Sequence, residues 1–259
     1  MHGNHELDRA DEAVLGRASR ILMPTLGKQC WGFIIGSALF ALGSAPGFSD
    51  WAGANAANLS YFIGAWFFTG AALVQLVRSG PMTVKVDYAP GQMFRAEWLA
   101  GSTQFFGTLL FNVSTTAALM ARTVKGEQQL VWNPDAGGSV AFLISGGFVI
   151  LAFVRAGNSF WAGREPDFWS GQINLLGCIA FGVAAIGSFI NKDGSAVDAG
   201  MANWGTFIGA LCFLISSAIA LQSMPWNKRQ DIGGAEKVGT VAGSTRQRRG
   251  GSADDVANG

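Results

Sequence analysis

Residues 174–187 read NLLGCIAFGVAAIG, and a similar stretch, QFFGTLLFNVSTTA, stands seventy positions earlier at residues 104–117. A third copy, FIIGSALFALGSAP, occupies residues 33–46. None of the three contains a charged residue. The copies align through a glycine and a phenylalanine four places later, namely Gly36 and Phe40, Gly107 and Phe111, and Gly177 and Phe181. This repeated apolar pattern predicts three related helices in one chain.

The composition of the chain indicates that these helices lie in a membrane. Charged residues make up 14% of the 259 residues, whereas they are about a quarter of an average soluble domain. A helix of about 20 apolar residues crosses the hydrocarbon core of a bilayer, while a membrane β-barrel needs short segments of alternating polarity. Six charge-free stretches are apolar all round and suit helices: residues 29–49, 51–77, 98–121, 136–154, 168–191 and 199–227.

The second helix of each pair repeats as well. NLSYFIGAWFF at residues 58–68 matches NWGTFIGALCF at residues 203–213, and SVAFLISGGFV at residues 139–149 is a weaker middle copy. The repeating unit is therefore a pair of helices that returns to the side of the membrane where it began. Such units are parallel repeats related by an axis along the membrane normal. We expect three hairpins around a pseudo-threefold axis.

The predicted fold is thus an all-α polytopic membrane protein with six transmembrane helices in three tandem hairpins. The hairpin repeats are placed at residues 29–79, 93–157 and 168–224. Residues 1–28 are predicted to form an N-terminal arm, either an interfacial helix or a partly ordered segment. Residues 225–259 are low in large apolar residues and are predicted to be a disordered tail.

The orientation follows from the Lys and Arg residues of the loops. Six crossings leave both termini on one side, which carries eleven Lys and Arg residues before the distal tail. The opposite side carries Arg122, Lys125 and Lys192. Because Lys and Arg are enriched in cytoplasmic loops, both termini are predicted to be cytoplasmic.

Part of the chain resembles a known family. WSGQINLLGCIAFGVAAIGSF at residues 169–189 and NWGTFIGALCFLISSAIAL at residues 203–221 resemble the YrhK-like domain of bacterial membrane proteins. STQFFGTLLFNVSTTAAL at residues 102–119 is similar to a divergent copy of it. The resemblance rests on the placement of Gly, Asn and Phe. It implies a location in the bacterial plasma (inner) membrane, and it implies neither an activity nor functional residues.

The third predicted helix has a polar face. Gln104, Thr108 and Asn112 are spaced four apart, so they share one side of a helix. Asn174 repeats the feature more weakly in the fifth helix. Two interpretations stand: hydrogen bonds that join membrane helices, or a path for a neutral polar solute. Close helix packing is predicted at two small-residue pairs, Gly32 with Gly36 and Gly205 with Gly209.

Missing residue types exclude several functions. No Asp, Glu, Lys, Arg or His lies within a predicted span, and such residues mark ion pathways in membranes. The two histidines, His2 and His5, precede the first span, so no haem or metal site is predicted. The net charge of +1 does not favour nucleic-acid binding. Asp135, at the end of a span, is interpreted as a marker of the water boundary.

Two function hypotheses remain. The first is a non-enzymatic inner-membrane protein that acts as a structural or accessory partner, with the lipid bilayer and another membrane protein or complex as its partners. The alternative is a transporter or pore for a neutral or small solute. An enzyme is not expected, because the acids available near the interface are only Glu97, Asp135 and Asp167. No cofactor is expected either.

Overall fold

The computed structural model of the protein describes residues 23–87, 91–157 and 164–223, of which 79% are helical. Within these ranges there are seven helices: α1 (Leu26–Ser44), α2 (Phe48–Ala52), α3 (Ala54–Arg78), α4 (Ala96–Ala118), α5 (Val124–Arg155), α6 (Pro166–Gly187) and α7 (Ala199–Ser223). Two short strands, β1 (Thr83–Lys85) and β2 (Gln92–Phe94), pair in antiparallel fashion before α4. The fold is therefore all-helical in essence.

Four helices, α3, α5, α6 and α7, are long and apolar enough to cross a membrane. This finding supports a membrane protein, the coarse part of the fold prediction. Helix α1 has 19 residues and includes Lys28 and Gln29, while α4 has 23 residues and carries the polar face with Gln104 and Asn112. Helices α1 and α4 are not among the four, although their lengths are similar.

The long helices pack in antiparallel pairs with a recurring contact. In each pair two glycines meet at the crossing: Gly36 with Gly64 in α1 and α3, Gly107 with Gly138 in α4 and α5, and Gly177 with Gly209 in α6 and α7. A methyl group on Gly36 would lie 3.0 Å from the Gly64 carbonyl oxygen, and one on Gly107 would lie 3.1 Å from that of Gly138. Since only a hydrogen atom fits there, the helix backbones approach closely.

The centre of the molecule is a phenylalanine cluster, which we define as Phe40, Phe68, Phe111, Phe142, Phe181 and Phe213. Each ring stands four residues after a glycine of the recurring contact and packs against the glycine opposite. Phe40, Phe111 and Phe181 also contact one another, with ring centroids 5.9–6.2 Å apart. All six side chains are at most 5% exposed, so the apolar core lies where the helix pairs meet.

Two local elements differ from expectation. No strands are predicted between the first two hairpins, whereas the structure has the paired strands β1 and β2 there. The fourth span is predicted to begin at residue 136, but α5 begins at Val124, because a π-helical segment, Glu127–Trp132, continues the helix upstream. The N-terminal arm lies largely, and the C-terminal tail wholly, outside the described residues.

The loop between α6 and α7 is short and ordered by its own hydrogen bonds. Asp193 Oδ1 accepts hydrogen bonds from the Ser195 amide at 2.9 Å and from the Ser195 hydroxyl at 2.7 Å. These two donors hold the pKa of the Asp193 carboxyl below its ordinary value. Ile190 and Ala196 form a single β-bridge across the loop.

Candidate functional site: two interior cavities

The polar face predicted on α4 is buried in the structure. Gln104, Thr108 and Asn112 are 5%, 0% and 8% exposed. The Thr108 hydroxyl donates to the Phe105 carbonyl oxygen of its own helix at 2.7 Å. Asn112 Nδ2 donates to Thr69 Oγ1 of α3 at 2.8 Å. Two members of the face are thus engaged within the helix bundle, while Gln104 lines an interior cavity.

This first cavity has a volume of about 140 Å³ and is lined by residues of all six long helices. It lies near the beginnings of α1, α4 and α6 and near the ends of α3, α5 and α7. Within residues 23–87, 91–157 and 164–223, no Asp, Glu, Lys, Arg or His lines it. Its polar groups are carboxamides and hydroxyls: Gln29, Gln75, Gln104, Asn174, Ser145, Ser170, Ser216 and Ser217.

Most of the hydroxyl groups here already have protein partners. Ser145 Oγ donates to the Ala100 carbonyl oxygen at 2.9 Å. Ser216 Oγ donates to the Ser170 carbonyl oxygen at 2.8 Å, and Ser170 Oγ lies 3.1 Å from the Ser216 carbonyl oxygen and hydroxyl. These bonds cross between helices and therefore stabilise the wall of the cavity.

The carboxamide groups are less well satisfied. Gln29 Oε1 accepts from the Arg78 guanidinium at 2.6 Å. The partly buried Asn174 has a weak contact, with its Nδ2 3.9 Å from Cys178 Sγ. In the part of the chain that the structure describes, the side chain of Gln104 has no hydrogen-bond partner, although it is 5% exposed. The donor and the acceptor of the Gln104 amide are therefore free toward the cavity.

The phenylalanine cluster separates the first cavity from a second one. Along α4, Gln104 faces the first cavity, Phe111 belongs to the cluster, and Thr115 lines the second cavity. Seven residues of helix, about 10 Å, separate Gln104 from Phe111. The gap enclosed by the rings has a volume of about 10 Å³, so the two cavities are not continuous in this arrangement.

The second cavity has a volume of about 450 Å³ and opens at the other end of the bundle. Asn58 and Tyr61 of α3 face Asn203 and Thr206 of α7 across it. Its carboxyl groups are those of Glu127 and Asp135, both on α5 and both partly buried. The indole Nε1 of Trp132 donates to the Ala185 carbonyl oxygen at 2.8 Å and fixes this wall of the cavity.

Asp135 lies in the wall of the second cavity. From sequence it was expected to mark the water boundary, because the charge-free stretch begins at residue 136. In the structure it belongs to the helix that begins at Val124 and stands three residues after the π-helical segment Glu127–Trp132. The apolar periodicity of the sequence does not reveal such a segment.

The four glycines predicted to aid packing all lie at close helix contacts. A methyl group on Gly32 would lie 2.9 Å from Ala71 Cβ, and one on Gly205 would lie 2.9 Å from the Ala180 carbonyl oxygen. Gly36 and Gly209 belong to the recurring glycine contact described above. Substitution at any of them would push two helices apart.

Several lining residues of the cavities escaped the sequence analysis. In the sequence, Asn58 and Asn203 indicate only the alignment of the repeat, and no role is predicted for Ser145, Ser170 and Ser216. Their repeat positions are the signal that could have found them, because Ser145 and Ser216 each stand three residues after a phenylalanine of the cluster.

The described residues offer no group of three or more His, Cys, Asp or Glu side chains that could bind a metal ion. The site is therefore characterised by amide and hydroxyl groups and by the two carboxyl groups of the second cavity. In comparisons with known proteins, no protein-family model, no curated protein and no solved structure matches this chain.

Proposed function

We propose that all six long helices cross the membrane as three tandem hairpins, α1 with α3, α4 with α5, and α6 with α7. The recurring glycine contact and the phenylalanine four residues after each glycine support this repeat. In the middle hairpin, the residues equivalent to Gly64 and Phe68 are Gly138 and Phe142, so the repeat aligns residues 132–142 and not the stretch 139–149 matched in the sequence. The bundle then has a pseudo-threefold axis through the phenylalanine cluster.

The linings of the cavities agree with such an axis. Phe33, Gln104 and Asn174 each stand three residues before the first glycine of a hairpin, and all three line the first cavity. The residues three before the second glycine are Tyr61, Asp135 and Thr206, and all three line the second cavity. Equivalent positions of three hairpins thus converge at both ends of the bundle.

The function that this geometry supports best is a conduit for a small uncharged solute. The observation that carries the proposal is the presence of two cavities on opposite sides of one apolar constriction, on a common axis. The phenylalanine cluster would be the gate, closed in this conformation. A solute would pass when the rings move apart.

The preference for an uncharged solute follows from the lining of the first cavity. Its polar lining residues are all neutral, and an ion moved into an apolar site without a partner pays a large desolvation penalty. The rings of the cluster offer an ion no hydrogen bond. The carboxyl groups of Glu127 and Asp135 lie only on the other side of the cluster.

The proposal includes the bacterial plasma membrane as location and both termini in the cytoplasm, so that the first cavity faces the cytoplasm. The resemblance to the YrhK-like domain is in keeping with this location. No catalytic residue or cofactor is part of the proposal. A role as structural or accessory partner of another membrane protein is the alternative that the following experiment distinguishes.

Solute entry into liposomes tests the proposal. Proteoliposomes are mixed with a hyperosmotic solution of a small neutral solute, and the re-swelling rate is followed by stopped-flow light scattering. The wild-type protein is expected to accelerate re-swelling relative to empty liposomes. Phe111→Ala, which removes a ring of the gate, should raise the rate further, whereas Phe111→Trp should lower it.

Phe106→Ala is the matched control, because Phe106 lies five residues before Phe111 on α4 and is 57% exposed. It should leave the rate unchanged. Folding of each variant is checked by circular dichroism and gel filtration. If wild type and Phe111→Ala both match empty liposomes while folded, the conduit is wrong and the accessory role becomes the better reading.

A further inference from the structure

We infer that the first cavity is a binding site for a small uncharged carboxamide or urea. The inference rests on the proposed function for a route across the membrane and names the solute class of that route. Binding itself can be measured without any flux. Three observations carry the inference: an amide without a protein partner that faces the cavity, further amides on other helices, and a lining without charged side chains among the described residues.

The Gln104 carboxamide is the first observation. It is 5% exposed and lines the cavity, and no group of the described residues donates a hydrogen bond to it or accepts one from it. Because the amide atoms of Gln104 face the cavity and not another protein group, a water molecule or a ligand must supply their hydrogen bonds. A ligand that offers both a donor and an acceptor would supply what Gln104 lacks.

Two more carboxamides face the same cavity from other hairpins. Asn174 of α6 has its oxygen free and its nitrogen 3.9 Å from a thiol sulfur, a weak contact. Gln75 of α3 is partly buried, and within the described ranges its side chain has no hydrogen-bond partner either. The hydroxyl protons of Ser145 and Ser216 are already donated to carbonyl oxygens. The free hydrogen-bonding groups are therefore mainly amides.

An amide or urea complements this arrangement. A carboxamide presents a donor and an acceptor side by side in one plane, so it pairs with another carboxamide through two parallel hydrogen bonds. A carboxylate ligand would offer acceptors only, and a protonated amine would offer donors only. Among the described residues, no Asp, Glu, Lys, Arg or His lines the cavity, and the nearby Arg78 guanidinium already donates to Gln29 at 2.6 Å.

The remaining wall limits the size and polarity of the ligand. Phe33, Phe213, Val149 and Ala220 provide an apolar surface. A water molecule takes about 30 Å³ in the liquid, so a cavity of about 140 Å³ suits a compact molecule. Urea fits these limits, and so does acetamide, whose methyl group can lie against the rings.

Saturation-transfer difference NMR on the full chain in lipid nanodiscs tests the inference with acetamide as the probe. Saturation of the protein is expected to reach the acetamide methyl protons, and added urea should reduce that signal by competition. Acetate, which has the shape of acetamide but carries a charge, should not compete. Gln104→Met keeps the length of the side chain, removes its hydrogen bonds and should weaken binding about tenfold.

Gln92→Met is the matched control, because Gln92 is exposed on β2, outside the cavity. It should bind acetamide like wild type. An absence of saturation transfer to acetamide with folded wild-type protein would overturn the inference and leave a cavity filled with water. An unchanged signal in Gln104→Met, or competition by acetate equal to that by urea, would overturn it as well.

Failure of the inference is distinguishable from failure of the proposed function. If liposomes containing the protein admit other neutral solutes quickly while acetamide and urea do not bind, the conduit stands and the solute class is wrong. If acetamide binds through Gln104 and no solute crosses faster than in empty liposomes, the binding site stands and the conduit is wrong.

Discussion

Asn112 and Gln104 lie on the same face of α4, yet their surroundings differ. The Asn112 amide donates to the Thr69 hydroxyl at 2.8 Å, and this hydroxyl donates in turn to the Ala65 carbonyl oxygen at 3.0 Å. Among the described residues, Asn112 Oδ1 is buried without a partner. The amide of Asn112 therefore depends on Thr69 for its hydrogen bond and joins α4 to α3.

We predict that Asn112 and Thr69 are energetically coupled. Thr69→Val leaves the Asn112 amide buried without a partner, which should lower the free energy of unfolding by about 1–2 kcal/mol. Adding Asn112→Leu should restore part of this loss, because the unpaired group is then gone. The coupling energy should be about 0.6–1.7 kcal/mol, measured by unfolding in mixed detergent micelles.

Thr103→Val provides the control for this cycle. The Thr103 hydroxyl bonds to carbonyl oxygens of its own helix, Leu99 and Ala100. The change in the free energy of unfolding caused by Thr103→Val should add to the change caused by Asn112→Leu. Additive effects of Thr69→Val and Asn112→Leu would show that the 2.8 Å contact contributes nothing to stability.

For these side chains, the sequence predicted which residues share a helix face but not which of them form hydrogen bonds. The four-residue spacing of Gln104, Thr108 and Asn112 indicated that they share one face of the helix, and in the structure all three are buried. The spacing could not show which side chain would find a partner, because Thr69 belongs to α3 and lies 43 residues away in the chain. The register between α3 and α4 decides that outcome.

At the scale of the helices, close packing rests on small residues. Gly205 of α7 is buried against α6, where a methyl group would lie 2.9 Å from the Ala180 carbonyl oxygen and 2.9 Å from the Ala184 amide nitrogen. Both of these atoms belong to the backbone, which cannot rotate away as a side chain can. The two helices would have to separate to admit the extra carbon atom.

We therefore predict that Gly205→Ala destabilises the protein by about 1–3 kcal/mol, the usual cost of overpacking. The thermal unfolding midpoint, followed by circular dichroism in detergent, measures the effect. Gly147→Ala is the control, because Gly147 is an exposed helical glycine with no heavy atom within 4 Å of the added carbon. Equal midpoints for the two variants would contradict the packing of α6 against α7.

The elements themselves were predictable where apolar residues run on without interruption. Charge-free stretches revealed α3, α6 and α7 with ends close to those observed. The pairing of β1 with β2 was missed, because three-residue strands give no periodic signal. The segment Glu127–Trp132 was also missed, since it contains charge and two glutamines and resembles a loop in composition.

For the molecule as a whole, the number of crossings decides which loops share a side. With six crossings, the β1–β2 segment lies on the side of the termini and the α6–α7 loop on the opposite side. With only α3, α5, α6 and α7 crossing, both segments would lie on the same side. The two topologies therefore differ in whether the β1–β2 segment and the α6–α7 loop are exposed on the same side of the membrane.

We predict that two engineered cysteines are labelled from opposite sides. Val197→Cys, in the α6–α7 loop, should react with a membrane-impermeant maleimide in intact cells. Met82→Cys, before β1, should react only after permeabilisation. Both positions are exposed, at 52% and 46%. The unsubstituted chain is the control, because Cys30, Cys178 and Cys212 are buried. Labelling of both variants in intact cells would rule out six crossings.

The whole arrangement was predictable only in outline. The repeats of glycine and phenylalanine in the sequence indicated that equivalent positions would meet. They did not reveal whether Phe40, Phe111 and Phe181 would fill the axis or surround a space. The structure has both features at different heights, rings in the middle and cavities at each end. The positions of the rings and cavities along the bundle depend on how six helices pack together, so they cannot be predicted from the sequence of one helix.

The close packing of the phenylalanine rings determines whether protons can pass between the two cavities. The gap of about 10 Å³ between the rings is at the lower limit for holding one water molecule, and the rings offer no hydrogen bond to hold it there. A file of hydrogen-bonded waters cannot form across the cluster, so protons have no chain along which to hop. In this arrangement of the rings, the cluster therefore blocks proton transfer between the two cavities.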